Sequence, residues 1–92
     1  MKLPITIEFT TGESATYTAL PPEWMKWEQK TGNTIQQVAD KLGIGDLMFL
    51  AYHASKREAA GKPVKPFEAW CETVTDINMG ETENPKVTNP DQ

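Results

Sequence analysis

A single cysteine, Cys71, and a single histidine, His53, stand in this 92-residue chain. One thiol makes no internal disulfide, which excludes a disulfide-stapled scaffold and leaves a soluble intracellular protein as the expectation. Two N or S ligands fall short of the roughly four that zinc takes, so no metal site is expected. Cys–His nucleophilic chemistry needs both groups within hydrogen-bond reach and a third group to orient the imidazole. Cys71 falls within an apolar stripe, where a small thiol is ordinary core, and His53 reads as a partly exposed helix residue. Neither G-x-G-x-x-G nor G-x-x-x-x-G-K occurs, so no nucleotide cofactor is implied. Long apolar runs are missing as well. Nothing approaches the roughly 20 residues of a membrane helix, and the N-terminus alternates where a signal peptide would carry about 7–15 apolar residues. Positive charge is in short supply: 9 Lys and Arg stand against 13 Asp and Glu, for a formal charge of −4. Nucleic-acid binding rests on clustered positive charge, and is not expected here. No catalytic, cofactor or metal residues are therefore assigned.

What is present is a patterned small domain. Over residues 4–20, Ile5, Ile7 and Phe9 alternate with Thr6, Glu8 and Thr10. Thr11-Gly12-Glu13 supplies a turn, and Ala15, Tyr17 and Ala19 then alternate with Thr16 and Thr18, which predicts a β-hairpin. Pro21-Pro22 ends it and opens a helix over about 22–31, with Glu23 at the favourable N-terminal end and Thr31-Gly32 as the stop. Thr34-Ile35-Gln36-Gln37 matches a capping box for a helix over about 34–42, closed by Gly43. Leu47, Leu50, Ala51 and Ala54 give an i, i+3, i+4, i+7 stripe for a helix over about 46–60. The linker Gly61-Lys62-Pro63-Val64-Lys65 breaks it. Phe67, Trp70, Cys71, Val74 and Ile77 then predict a last helix over about 66–77. The expected fold is α+β: a small N-terminal antiparallel β-hairpin followed by a bundle of three to four short α-helices. Residues 1–78 form one domain on this reading, and 79–92 form a disordered acidic tail.

Aromatic side chains are the remaining signal. Trp24, Trp27, Tyr52, Phe67 and Trp70 are many for so small a core. Phe67 and Trp70 read as core. Trp24 and Trp27 bracket Met25 and Lys26, so one of the pair is expected at a protein–protein surface, where Trp and Tyr are enriched. Lys56, Arg57, Lys62 and Lys65 form the only local positive excess, read either as a solvated linker or as a surface for an acidic partner or the acidic tail. The candidate partner-binding residues are Trp24, Trp27, Tyr52, Lys56 and Arg57.

Three segments carry a resemblance. Residues 24–32 read W-x-x-W-E-x-x-T-G, residues 46–54 read D-L-x-x-L-A-Y-H-A, and residues 66–70 read P-F-E-x-W after the basic linker. In this order and spacing, over about residues 20–78, the chain resembles the short form of the tail assembly chaperones of long-tailed bacteriophages. The resemblance implies a non-enzymatic protein of virion morphogenesis in the host cell cytoplasm. It implies binding to the long, helical, aggregation-prone tape measure protein, recruitment of tail tube subunits, self-association, and synthesis in two lengths by programmed frameshift. An apolar groove between helices is the expected seat for an amphipathic tape measure segment. The alternative from another class is a structural virion protein, such as a head–tail connector or tail completion protein.

Overall fold

A computed structural model describes residues 2–34 and 42–80. Its order is β1 (Leu3–Phe9), β2 (Ser14–Ala19), α1 (Pro21–Thr31), α2 (Ile44–Glu58), α3 (Phe67–Glu72) and β3 (Val74–Met79). The class is α+β, as expected, but the layout differs. The three strands form one antiparallel sheet in the order β2-β1-β3, and the helices lie against it. The expected helix over 34–42 falls largely outside the described residues.

The hairpin follows the alternation. Ile5 pairs with Tyr17 and Ile7 with Ala15, and Ile5, Ile7 and Ala19 are buried under the helices. Gly12, at φ 91, turns the loop, whose Phe9 and Glu13 are joined by a 2.8 Å N–H to C=O bond.

The last expected helix is corrected. It stops at Glu72, and residues 74–79, expected as the helix end and the first residue of a tail, form the third strand instead. Phe67, Trp70, Cys71, Val74 and Ile77 do fall at helical spacing. However, Thr73, Val74 and Thr75 are three β-branched residues in succession, and these favour strand. Tertiary pairing decides the matter: Ile7 faces Ile77 and Thr6 faces Asn78 across β1 and β3, with an irregularity at Glu8 and Phe9.

Pro4 sits in the central strand, where a missing N–H would ordinarily break the ladder. The strand tolerates it because Thr6 substitutes for the donor. Gly80 donates its N–H to the Pro4 carbonyl at 2.7 Å, and the Gly80 carbonyl accepts the Thr6 hydroxyl at 2.9 Å. On the outer edge of β3, the Ile77 N–H is held by the Asp76 carboxylate at 2.9 Å, which leaves one donor fewer for edge pairing.

The core joins sheet to helices through Ile5, Ile7, Ala19, Trp24, Trp27, Leu47, Leu50, Ala51, Tyr52 and Trp70. Trp24 and Trp27 meet edge to face with centroids 5.6 Å apart. Their polar atoms fare differently. Trp27 Nε1–H donates to Asp46 Oδ1 at 3.0 Å, whereas the buried Trp24 Nε1–H has no hydrogen-bond partner among the described residues. Replacing either ring by phenylalanine removes similar area, but only at Trp27 is a bond to a charged acceptor lost. Trp27→Phe is expected to lower stability by about 1.5–3 kcal/mol more than Trp24→Phe. Urea unfolding midpoints of the two variants measure this, and equal losses would show that the Trp27–Asp46 bond adds nothing net.

Candidate functional site

α1 and α2 pack side by side, and two ion-bearing contacts set their relation. Glu23 is the third helical residue of α1. Its Oε1 accepts the Leu20 N–H at 2.9 Å, reaching back over the helix start. The same carboxylate receives a fork from Arg57 near the end of α2, with Nε to Oε2 at 2.9 Å and Nη2 to Oε1 at 3.0 Å. Arg57 Nη2 also reaches the Thr18 carbonyl of β2 at 3.1 Å. The Glu23 side chain is 1% exposed and that of Arg57 35%. Burial pushes the Glu23 carboxyl up, but the Arg57 hydrogen bonds, the Leu20 N–H and the Arg57 charge outweigh it. Its pKa ends below the usual carboxylate value.

Asp46 repeats the device in the other direction. It is the third helical residue of α2, and its Oδ2 accepts the Gly43 N–H at 2.9 Å while Oδ1 holds Trp27 of α1. The helices therefore run antiparallel, with the start of each held near the end half of the other.

This packing builds one outward face. Lys30 Nζ lies 5.1 Å from the centre of the Phe49 ring, a cation–π contact between α1 and α2. One turn further along each helix, Lys26 faces His53. Pro22, Glu23, Lys26, His53, Lys56 and Arg57 line an open cavity of about 350 Å³ between the helices. His53 lies tilted against Phe49, with 4.5 Å between ring centres, and meets Tyr52 edge to face at 5.2 Å. Burial, then the positive charges of Lys26 and Lys56, hold its pKa below the ordinary histidine value, against a smaller opposing pull from Glu23. Arg57 is neutralised by Glu23. Lys26 and Lys56 have no ion-pair partner among the described residues. Met25, 58% exposed on α1, adds an apolar side chain to the surface of that helix.

The structure redistributes the residues expected to bind a partner. Trp24, Trp27 and Tyr52 are 2%, 0% and 5% exposed, so the one tryptophan of the pair expected at the surface is corrected to core, and Tyr52 is core as well. The correction has a simple cause: α1 is covered by the sheet as well as by α2, which leaves room to bury both tryptophans. The Tyr52 ring meets Phe67 and Trp70 edge to face, and its hydroxyl donates to the Lys65 carbonyl at 2.6 Å, pinning the linker. Lys56 does line the cavity, and Arg57 does too, though its charge is engaged by Glu23. Lys26, Lys30, Phe49 and His53 complete the face and were not among the residues expected to bind a partner. Their i, i+4 spacing within each helix was the available signal. Cys71 lies outside this cavity, and burial, aided by Glu68, pushes its thiol up. Among the described residues no group of three or more His, Cys, Asp and Glu is disposed to hold a metal, and no helix is long and apolar enough to cross a membrane.

The Glu23–Arg57 contact yields a stability prediction. Arg57→Ala strands a buried carboxylate and is expected to destabilise by about 3 kcal/mol, the low end for a broken buried pair, because water already reaches Arg57. Glu23→Gln keeps an oxygen for the Leu20 N–H and should lose less. Since the folded pKa of Glu23 is lowered, its stabilisation is complete above the unfolded value near ~4.3 and disappears as pH falls through the folded value. Urea unfolding of the wild type and Glu23→Gln from pH 7 to pH 3 checks this: the gap between them should close in acid, and a constant gap would contradict it.

The chain matches no protein-family profile, no curated protein and no solved structure.

Proposed function

We propose that this chain is a non-catalytic tail assembly chaperone of a long-tailed bacteriophage, and that it holds the tape measure protein during tail tube assembly. The resemblance of residues 24–32, 46–54 and 66–70 supplies the class. The observation that carries the reading is the α1–α2 face, which gathers Lys26, Lys30 and Lys56 around Phe49 and His53 on a chain of net charge −4. A cation-and-aromatic groove between two helices suits a third, acidic amphipathic helix, with apolar side chains over Phe49 and carboxylates toward the lysines. A long helical tape measure offers many such segments, and covering one keeps it from associating with its own kind until tube subunits arrive. The expected groove between helices is kept in this reading, but its lining is cationic and aromatic, where an apolar one was expected.

Co-expression with the cognate tape measure protein tests the proposal. The chaperone should raise the soluble yield of tape measure and co-purify with it. Lys26→Glu combined with Lys56→Glu should reduce co-purification at least tenfold while leaving the circular dichroism spectrum unchanged, since neither lysine supports the core. Failure of the wild type to co-purify would sink the reading. Stoichiometric presence of the chain in purified virions would favour a structural virion protein instead.

A further inference from the structure

We propose that Lys26, His53 and Lys56 form an anion pocket that captures a carboxylate side chain of an acidic, helical protein segment and takes up a proton at His53 as it does so. The inference rests on the reading of the α1–α2 face as a partner surface, though not on which protein the partner is.

The geometry comes first. The cavity is concave, of about 350 Å³, and three of its lining groups are positive or become so on protonation, with no ion-pair partner among the described residues. Lys26 comes from α1, and His53 and Lys56 from α2. The other charges that face the cavity cancel. Arg57 and Glu23 bind each other through two hydrogen bonds, and the remaining acceptor capacity of Glu23 is turned to the Leu20 N–H, away from solvent. Two positive charges are thus left uncompensated when His53 is neutral, and three when it is protonated. A carboxylate fits this volume readily, and lysine ammonium groups bind it as compact charges with rotatable donors.

The two ring contacts of His53 favour a ligand delivered by protein. Phe49 and Tyr52 flank the imidazole, and Phe49 continues the groove toward Lys30. A helix lying along this groove places an apolar residue on Phe49 and, one turn away, a glutamate over His53. A free inorganic anion gains nothing from the aromatic half of the site.

Proton linkage follows from the same arrangement. Burial and the two lysines disfavour the imidazolium in the free protein. An anion seated among them reverses the local field and favours it. Binding therefore raises the His53 pKa, and by linkage acid strengthens binding. A shift of about one unit corresponds to a gain in affinity of at most about tenfold, complete only below the His53 pKa of the free protein, so about a threefold to fivefold gain is expected between pH 8 and pH 5.5.

His53 is the sole histidine, so its ring resonances in the full chain are unambiguous. The experiment follows them by NMR through a pH titration, alone and with a Glu-rich helical peptide, inorganic sulfate, or a Lys-rich helical peptide of equal length. The expected result is a His53 pKa raised only by the Glu-rich peptide, with an affinity that climbs about threefold to fivefold toward pH 5.5. Lys26→Gln with Lys56→Gln should raise the His53 pKa of the free protein and remove the response to peptide. A His53 pKa unmoved by the Glu-rich peptide overturns the pocket. An equal response to sulfate overturns the commitment to a protein carboxylate. Loss of peptide binding in Lys62→Gln with Lys65→Gln, but not in Lys26→Gln with Lys56→Gln, places the site on the linker and overturns the proposal as well. The outcome separates from the chaperone reading: a flat His53 with intact tape measure co-purification removes the pocket alone, and a responsive His53 without co-purification removes the chaperone alone.

Discussion

The fold turns on a reciprocal clamp between two antiparallel helices. Glu23 starts α1 and grips Arg57 at the far end of α2, while Asp46 starts α2 and grips Trp27 on α1. Each carboxylate also caps the helix that carries it, accepting the N–H of Leu20 or Gly43. One side chain thereby satisfies an orphan donor at a helix start and fixes the position of a neighbouring helix. Negative charge at both N-termini agrees with the helix dipoles. The clamp reaches the sheet as well, because Arg57 also binds the Thr18 carbonyl on the free edge of β2. Helices and hairpin are thus tied at one guanidinium.

Fixing the helices in this way decides which side chains are left outside. Trp24, Trp27, Leu47, Leu50 and Ala51 turn inward against Ile5 and Ile7. What remains outward on α1 and α2 follows from helical spacing: Lys26 and Lys30 on one ridge, Phe49, His53 and Lys56 on the other. The cationic face is therefore a by-product of the clamp geometry, but its charge is not. Nothing in the packing requires lysine at 26, 30 and 56, and in a chain with excess acid, opposite charges were available to pair with them. Among the described residues Lys26 and Lys56 have no ion-pair partner, and after burial their charges further depress the basicity of His53. Such an uncompensated arrangement is more often found where a ligand supplies the missing charge.

The sequence made part of this legible, for identifiable reasons. The hairpin, α1 and α2 were readable because their patterns are strong and local: threonine-rich alternation around Gly12, prolines at the start of α1, and a clean apolar stripe from Leu47 to Ala54. β3 was not readable because Val74 and Ile77 happen to continue the helical spacing of Phe67, Trp70 and Cys71. A short strand beside a central one draws its specification from its partner, here Ile7 and Thr6 of β1, about seventy positions away. The tryptophans were misplaced because a helix viewed alone reveals which residues share a face, not how many neighbours surround it. The binding face was half seen. Lys56 and Arg57 stood out as a local cluster, whereas Lys26 and Lys30 join them only through antiparallel packing.

The roles of Arg57 and Lys56, adjacent in sequence, show how the two demands are kept apart. A guanidinium offers several donors in a rigid fork, and Arg57 spends them on Glu23 and Thr18 inside the protein. Exchanging it for lysine would leave one point charge to serve two acceptors. Lys56, one position earlier, points to solvent with its ammonium 5.6 Å from the centre of the Tyr52 ring. That contact positions the charge without neutralising it, since an aromatic face carries no net charge. The same relation holds for Lys30 over Phe49. Arginine is thus used where a charge must be consumed, and lysine over an aromatic ring where a charge must be held in place and remain available. On a chain that is otherwise acidic, this division is what turns a structural helix pair into a surface with a defined electrostatic preference.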